Sequence, residues 1–162
     1  MSLPARKHPR LKNYDYSSNG VYFVTICTKN HIHYLSHIVK QDDLTMPKTE
    51  LTEIGKTADK YIKSIETAYN NIYVEKYIIM PDHIHLYIVI DISGEFSGGV
   101  GSPRPTLYRI IKALKRMITN EVGFSIRQES FYEEIIRNEK TFYSIWNYIE
   151  GNPSQWIADE KI

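Results

Sequence analysis

Two histidines one residue apart, His83 and His85, follow Met80-Pro81-Asp82 and open an apolar run, Leu86-Tyr87-Ile88-Val89-Ile90. In an extended strand alternate side chains share a face. His83, His85, Tyr87 and Val89 then point one way, and Ile84, Leu86, Ile88 and Ile90 the other. The aliphatic set needs a core, so the imidazoles emerge together on the opposite face, with Cα atoms about 6.6–7 Å apart. Two imidazoles at that spacing can converge on one divalent metal, each about 2.0–2.2 Å from it. The plainer alternative is a hydrogen-bonded or surface pair. A second pair, His31 and His33, follows Lys29-Asn30 at a strand end and lacks a clearly aliphatic opposite face. These two read as loop or edge histidines. Near the C-terminus, Tyr148 and Asn152 are four apart and share one side of a helix. Tyr148 sits about 115° from the centre of the Phe142/Ile145/Trp146/Ile149 stripe. At that flank a phenol can reach a cleft and act as a nucleophile; the ordinary alternative is an amphipathic tyrosine, one of 13. Asn152 precedes Pro153 and is biased out of helical geometry. Its amide oxygen could then turn towards a metal.

These residues need elements to position them. Residues 21–28, β-branched and aromatic after the turn signal Asn19-Gly20, read as a strand. Residues 32–40 suggest a second one. From 52 to 69 the apolar positions Ile54, Ala58, Tyr61, Ile62, Ile65 and Tyr69 recur at helical spacing. Residues 73–80 and 83–90 are strand-like and separated by Pro81-Asp82, a tight antiparallel connection. The segment 94–105 holds four of the eight glycines and two prolines, and reads as a flexible loop. No Gly-Lys-Ser/Thr follows, so it is not a phosphate-binding P-loop. Residues 106–120 form the clearest helix. Leu107, Ile110, Ile111, Leu114, Met117 and Ile118 make its core stripe, and Arg109, Lys112 and Arg116 line another face. A last helix is expected from 139 to 151, stopped by Pro153. The fold class is α+β, with helices packed on an antiparallel sheet.

The formal net charge of +1 hides an asymmetry. Residues 1–12 (Arg6, Lys7, Arg10, Lys12) and 101–120 (Arg104, Arg109, Lys112, Lys115, Arg116) hold nine of the 20 cations and none of the 19 anions. Two basic segments on an acidic remainder point to a localised polyanion site, with solvated surface as the bland alternative. A hydrophobic fraction of 42% excludes a disordered chain. One cysteine, Cys27, excludes an internal disulfide and a cysteine-based zinc finger. No stretch approaches the roughly 20 apolar residues of a membrane span. The basic N-terminus lacks a following apolar region, so no secretory signal is read. The expectation is one cytoplasmic domain over 1–162, without a membrane partner.

Four ordered blocks resemble a known family. Asn19 to Asn30 resembles its opening strand. Met80-Pro81-Asp82-His83-Ile84-His85 resembles its HUH motif, a histidine pair separated by one hydrophobic residue. Tyr132 to Asn138 and Tyr148-Ile149-Glu150-Gly151-Asn152-Pro153 resemble its closing blocks. The chain is similar to the single-strand DNA transposases of the HUH, single-tyrosine type, and among them to the REP-associated tyrosine transposases. The likeness covers roughly residues 10–157. Where relatives commonly carry a Trp and a His around the Tyr132 block, this chain has Arg127 and Glu134.

The resemblance implies a ferredoxin-like antiparallel sheet with helices packed on one face and the histidine pair on a central strand. It implies His83 and His85 as metal ligands, Asn152 as a third ligand and Tyr148 as the nucleophile. The metal would be Mg²⁺ or Mn²⁺, polarising a scissile phosphate. Attack by Tyr148 would give a 5′-phosphotyrosine and a free 3′-OH, which a second 3′-OH can reverse. The partner would be single-stranded or hairpin DNA, gripped by Arg109, Lys112 and Arg116 and by Arg6, Lys7, Arg10 and Lys12. Monomer and homodimer both occur among relatives. No general base is identifiable from the sequence. Histidine-triad hydrolases need a third histidine where Tyr87 stands. A domesticated, non-catalytic binder of single-stranded nucleic acid is the competing reading.

Overall fold

In the computed structural model, residues 20–40, 42, 44, 46–90, 107–125, 132–135 and 139–160 are described. Arg6, Lys7, Arg10, Lys12, the loop 94–105 and Arg137 lie outside the described residues. Six strands and three helices follow in order: β1 (Val21–Cys27), β2 (Ser36–Val39), β3 (Lys48–Leu51), α1 (Glu53–Ala68), β4 (Ile72–Ile79), β5 (His83–Ile90), α2 (Leu107–Val122), β6 (Tyr132–Ile135) and α3 (Glu139–Glu160). A short 3₁₀ turn, Lys29–His31, follows β1.

The main sheet has the order β4-β5-β1-β6, and every pairing is antiparallel. With β2 and β3 set aside as a separate two-stranded ribbon, the chain runs β1-α1-β4-β5-α2-β6. That is the βαββαβ plan of a ferredoxin-like fold. Of the ribbon, β2 falls in the region expected as one strand over 32–40, and its partner, β3, carries too few apolar residues to stand out. β6 likewise had no strand-like pattern of its own; it joins the sheet by pairing with β1.

The strand β5 explains the layering. It is central, so both of its faces are covered, and six of its eight residues are buried. Ile84, Leu86 and Ile88 join Val24 and Ile26 of β1 against Ala58, Ile62 and Ile65 of α1 and Ile110, Ile111 and Leu114 of α2. Tyr87 and Val89 face the other way, against Phe142, Trp146 and Ile149 of α3. Two helices thus lie on one face, as expected, and the third covers the other.

Two local devices fix α1. The Thr52 hydroxyl accepts from the Gly55 amide (3.0 Å) and caps the first turn. A Cβ at Gly55 would lie 2.0 Å from the Leu35 carbonyl oxygen, so only glycine lets the helix approach the chain leading into β2.

One boundary differs from expectation. Helix α3 does not stop before Pro153 but runs through it to Glu160. Proline lacks the N–H that would reach the Ile149 carbonyl, yet its φ suits a helix, and the loss of one bond does not end the element. Asn152 is therefore helical, and its side chain is not freed by a chain break. The amide Nδ2 donates back to the Tyr148 carbonyl (2.6 Å).

Candidate active site

The face of β5 towards α3 changes character along its length. Tyr87 and Val89 pack into the aromatic cluster, and at the start of the strand the same alternation presents His85 and His83. Their rings meet edge to face with centroids 4.6 Å apart. Each has its Nδ1 engaged. His85 Nδ1 lies 2.9 Å from Thr25 Oγ1, its register partner on β1. His83 Nδ1 lies 2.7 Å from Asp82 Oδ1. In both rings Nε2 is the nitrogen left, and for His85 that atom is buried without a hydrogen-bond partner. A buried, unpaired ring nitrogen is costly. It becomes reasonable as a ligand atom, because metal-bound histidines usually hand their other nitrogen to a carboxylate, carbonyl or hydroxyl that fixes the ring.

Electrostatics agree with a neutral His85 ring. Burial, followed by the neighbouring His83, pushes His85 down from 6.5 to about 3, against the opposing pull of the Asn152 amide and the Asp82 charge. Neutral imidazole is the form that ligates metal. Cys27 stands opposite His83 in the β1–β5 register. Burial and then the Asp82 charge raise its thiol, and a protonated thiol is no ligand.

Helix α3 closes the site. Tyr148 is 54% exposed beside a buried stripe of Phe142, Trp146 and Ile149. Its ring lies 5.5 Å from His85 and 6.3 Å from Phe23, centroid to centroid. Asn152, one turn on, is buried. Its NH₂ is spent on the Tyr148 carbonyl, so the amide oxygen is the atom it can offer. An open cleft of about 240 Å³ is lined by Tyr148, Asn152, His83, Asp82 and His31, with Gln155, Trp156 and Asp159 from the last turns of α3. Those turns exist because the helix passes Pro153.

The structure thus brings His83, His85, Tyr148 and Asn152 together. Among the described residues no three His, Cys, Asp or Glu side chains gather as a metal site. The protein donors at hand are two imidazoles and one amide, with the rest of any coordination shell left to water or substrate oxygen. Such a mixed nitrogen and oxygen set suits Mn²⁺ and later divalent ions and can also take Mg²⁺. Arg109, Lys112 and Arg116 are exposed, as expected, but on α2, which covers the opposite face of the sheet. Lys115 of the same basic window is buried. His31 and His33 lie in the turn and loop after β1, as expected of loop histidines, yet His31 lines the cleft and the His33 ring meets Trp156 edge-on at 5.2 Å.

Four neighbours of the site escaped the reading of the sequence. Thr25 and Phe23 are visible only through the β1–β5 register. Trp156 lay beyond the expected end of its helix. Asp82 did leave a signal, a carboxylate directly before the first histidine.

No family model matches the chain. An uncharacterized protein of Haemophilus influenzae (strain ATCC 51907 / DSM 11121 / KW20 / Rd) is 30% identical over 173 residues, covering 96% of this chain and 92% of that one. Among solved structures, a REP-associated tyrosine transposase bound to a REP hairpin superposes with a TM-score of 0.60 at 18% identity, covering 96% of this chain and 74% of that one. No described helix is long and apolar enough to cross a membrane. The chain belongs to one family with the Haemophilus protein, and its fold is that of a REP-associated tyrosine transposase, the fold its motif blocks implied.

Proposed function

We propose that this protein is a transposase or recombinase that nicks and rejoins single-stranded DNA beside hairpins through a 5′-phosphotyrosine. One observation carries the reading. An exposed tyrosine on α3 shares a cleft with His83 and lies ring against ring with the buried His85, and both histidines of β5 have Nδ1 engaged. Neither a plain DNA-binding sheet nor a metal store needs that combination. The solved transposase of the same fold was determined on a REP hairpin, which supports DNA of that kind as the partner.

The roles follow from position. His83 and His85 would hold a divalent cation through Nε2, with the Asn152 amide oxygen as a third protein ligand. When bound, Mg²⁺ or Mn²⁺ supplies Lewis-acid polarisation of the scissile phosphate. Asp82 and Thr25 hold the two Nδ1 atoms, which leaves each Nε2 as the atom that would ligate. Tyr148 Oη attacks phosphorus, the bond to the 3′-oxygen breaks, and a free 3′-OH departs. The phosphoester energy is kept in the tyrosine link, so a second 3′-OH can reverse the step. Phe23 and Trp156 pack beside Tyr148 and His83 and limit water around the reacting group. Arg109, Lys112 and Arg116 would hold DNA phosphates on the far side of the sheet, joined by Arg6, Lys7, Arg10 and Lys12. A role on DNA goes with a cytoplasmic, single-domain protein.

The test is cleavage of a labelled single strand carrying a hairpin, with and without Mn²⁺. A metal-dependent nick with label on the protein is expected. Tight binding with no nick under any divalent metal would favour the non-catalytic binder.

A further inference from the structure

The turn after β1 is built at some cost. Asn30 and His31 both adopt left-handed backbone, φ 56° and 55°. Asn and His tolerate that region better than most residues, but two in succession persist only where surroundings impose them. The imposition is visible. The Thr28 amide donates to the Asp82 carbonyl (2.9 Å), and its hydroxyl lies 2.8 Å from the Ile32 carbonyl and 3.1 Å from that of Asp82. The Leu35 amide donates to the Pro81 carbonyl (3.1 Å). The turn is thus fastened to the connection that opens β5. Its result is one carboxylate spanning two imidazoles: Asp82 Oδ1 on His83 Nδ1 at 2.7 Å and Asp82 Oδ2 on His31 Nδ1 at 3.2 Å. The His83 side chain is 19% exposed, that of His31 64%.

We propose that His31 is the general base that takes the phenol proton of Tyr148 during strand cleavage. The proposal rests on the reading of Tyr148 as the nucleophile. Four titratable groups besides Tyr148 line the cleft: His31, Asp82, His83 and Asp159. His83 is committed as a ligand in that reading. Both Asp82 oxygens face histidines. Asp159 accepts from Gln155 Nε2 (2.9 Å), and an aspartate is a weak base near neutral pH. That leaves His31 as the one cleft imidazole not committed as a ligand, and the carboxylate on its Nδ1 leaves Nε2 as the atom that can accept a proton. Asp82 then plays the part of the acid in a Ser-His-Asp arrangement, holding the tautomer and stabilising the imidazolium. The protons balance. As the Tyr148 Oη–phosphorus bond forms, the phenol proton passes to His31 Nε2. As the phosphorus–O3′ bond breaks, the departing oxygen takes a proton from water, and the imidazolium returns one to solvent. Rejoining runs the same transfers backwards.

The experiment is single-turnover nicking of a hairpin-bearing single strand at saturating Mn²⁺, with Mn²⁺ affinity read separately by electron paramagnetic resonance on the DNA-free protein. His31→Ala should slow nicking by about 10²-fold or more, leave Mn²⁺ and DNA affinity unchanged, and recover when free imidazole is added. His31→Gln keeps an amide donor for Asp82 but cannot accept the proton; it should stay slow and also recover no activity from the hydrogen bond alone. Nicking at the wild-type rate in His31→Ala, slow nicking that imidazole does not restore, or full activity in His31→Gln would each overturn the proposal. The parent reading fails differently: its sign would be wild-type protein that forms no tyrosine adduct, or Tyr148→Phe that still forms one.

Discussion

The two faces of β5 are made from alternate residues of one eight-residue strand, and they carry opposite kinds of burial. Towards α1 and α2, Ile84, Leu86 and Ile88 are part of the larger apolar core. Towards α3, the buried row begins with His85, whose Nε2 has no partner, and ends in the aromatic cluster of Tyr87 and Val89. The first face gains stability from every residue. The second gives some of it up, because a buried polar atom without a partner costs more than it returns. Such a loss is kept where a function uses it. The lesson is that one side of the sheet is given wholly to the core, while the other shares a smaller core with the cleft.

The largest contrast is between neighbours on the strand. Leu86→Ala should destabilise by about 2–5 kcal/mol, with metal affinity retained in the folded fraction. His85→Ala should abolish metal binding and nicking at a smaller loss of stability. Urea titration and Mn²⁺ binding on both variants would check the pair. Equal losses of stability with metal binding intact would erase the distinction between the faces.

Acid should sharpen the same contrast in the metal-free protein. His85 stays neutral in the fold down to about 3, whereas the unfolded chain takes the proton near 6.5. Below 6.5 the unfolded state binds more protons, so stability falls as pH drops, by up to about 1.4 kcal/mol per unit. A His85→Gln variant should lose this part of the acid sensitivity. Thermal melts between pH 7 and pH 4 measure it.

A smaller effect is expected at Asp82, which holds the His83 ring. Asp82→Asn keeps the volume but weakens the grip on His83 Nδ1 and should lower metal affinity about 10–100-fold. The smallest lies on the far face. Replacing Arg109, Lys112 and Arg116 with Gln should leave metal binding and circular dichroism unchanged and flatten the log–log salt dependence of DNA affinity by about two units. An unchanged slope would move the DNA grip to Arg6, Lys7, Arg10 and Lys12.

How far the sequence discloses this arrangement depends on the range of each interaction. The alternation across 83–90 is local, so both faces of β5 could be read directly. The helical stripes of α1 and α2 were readable for the same reason. Tyr148 and Asn152 came from spacing on one helix together with the family likeness. Thr25, Phe23 and His31 could not be found this way, because their roles depend on β1 lying beside β5 and on the turn after β1 folding back to Pro81-Asp82. Pro153 misled for a different reason. Proline is a strong stop on average, but here the helix loses one bond and keeps the packing of its later turns, with Trp156 held against His33 and His83.

The central claim is that Tyr148 is the nucleophile of a single-strand nick made in the histidine cleft. It is tested most directly by trapping the covalent adduct on a 3′-labelled hairpin single strand with Mn²⁺, then mapping the modified residue by mass spectrometry. The account predicts label on Tyr148 through a 5′-phosphate in the wild-type protein. It predicts none in Tyr148→Phe, which should still bind the DNA because the ring is kept. An adduct on another tyrosine, or undiminished nicking by Tyr148→Phe, would contradict it.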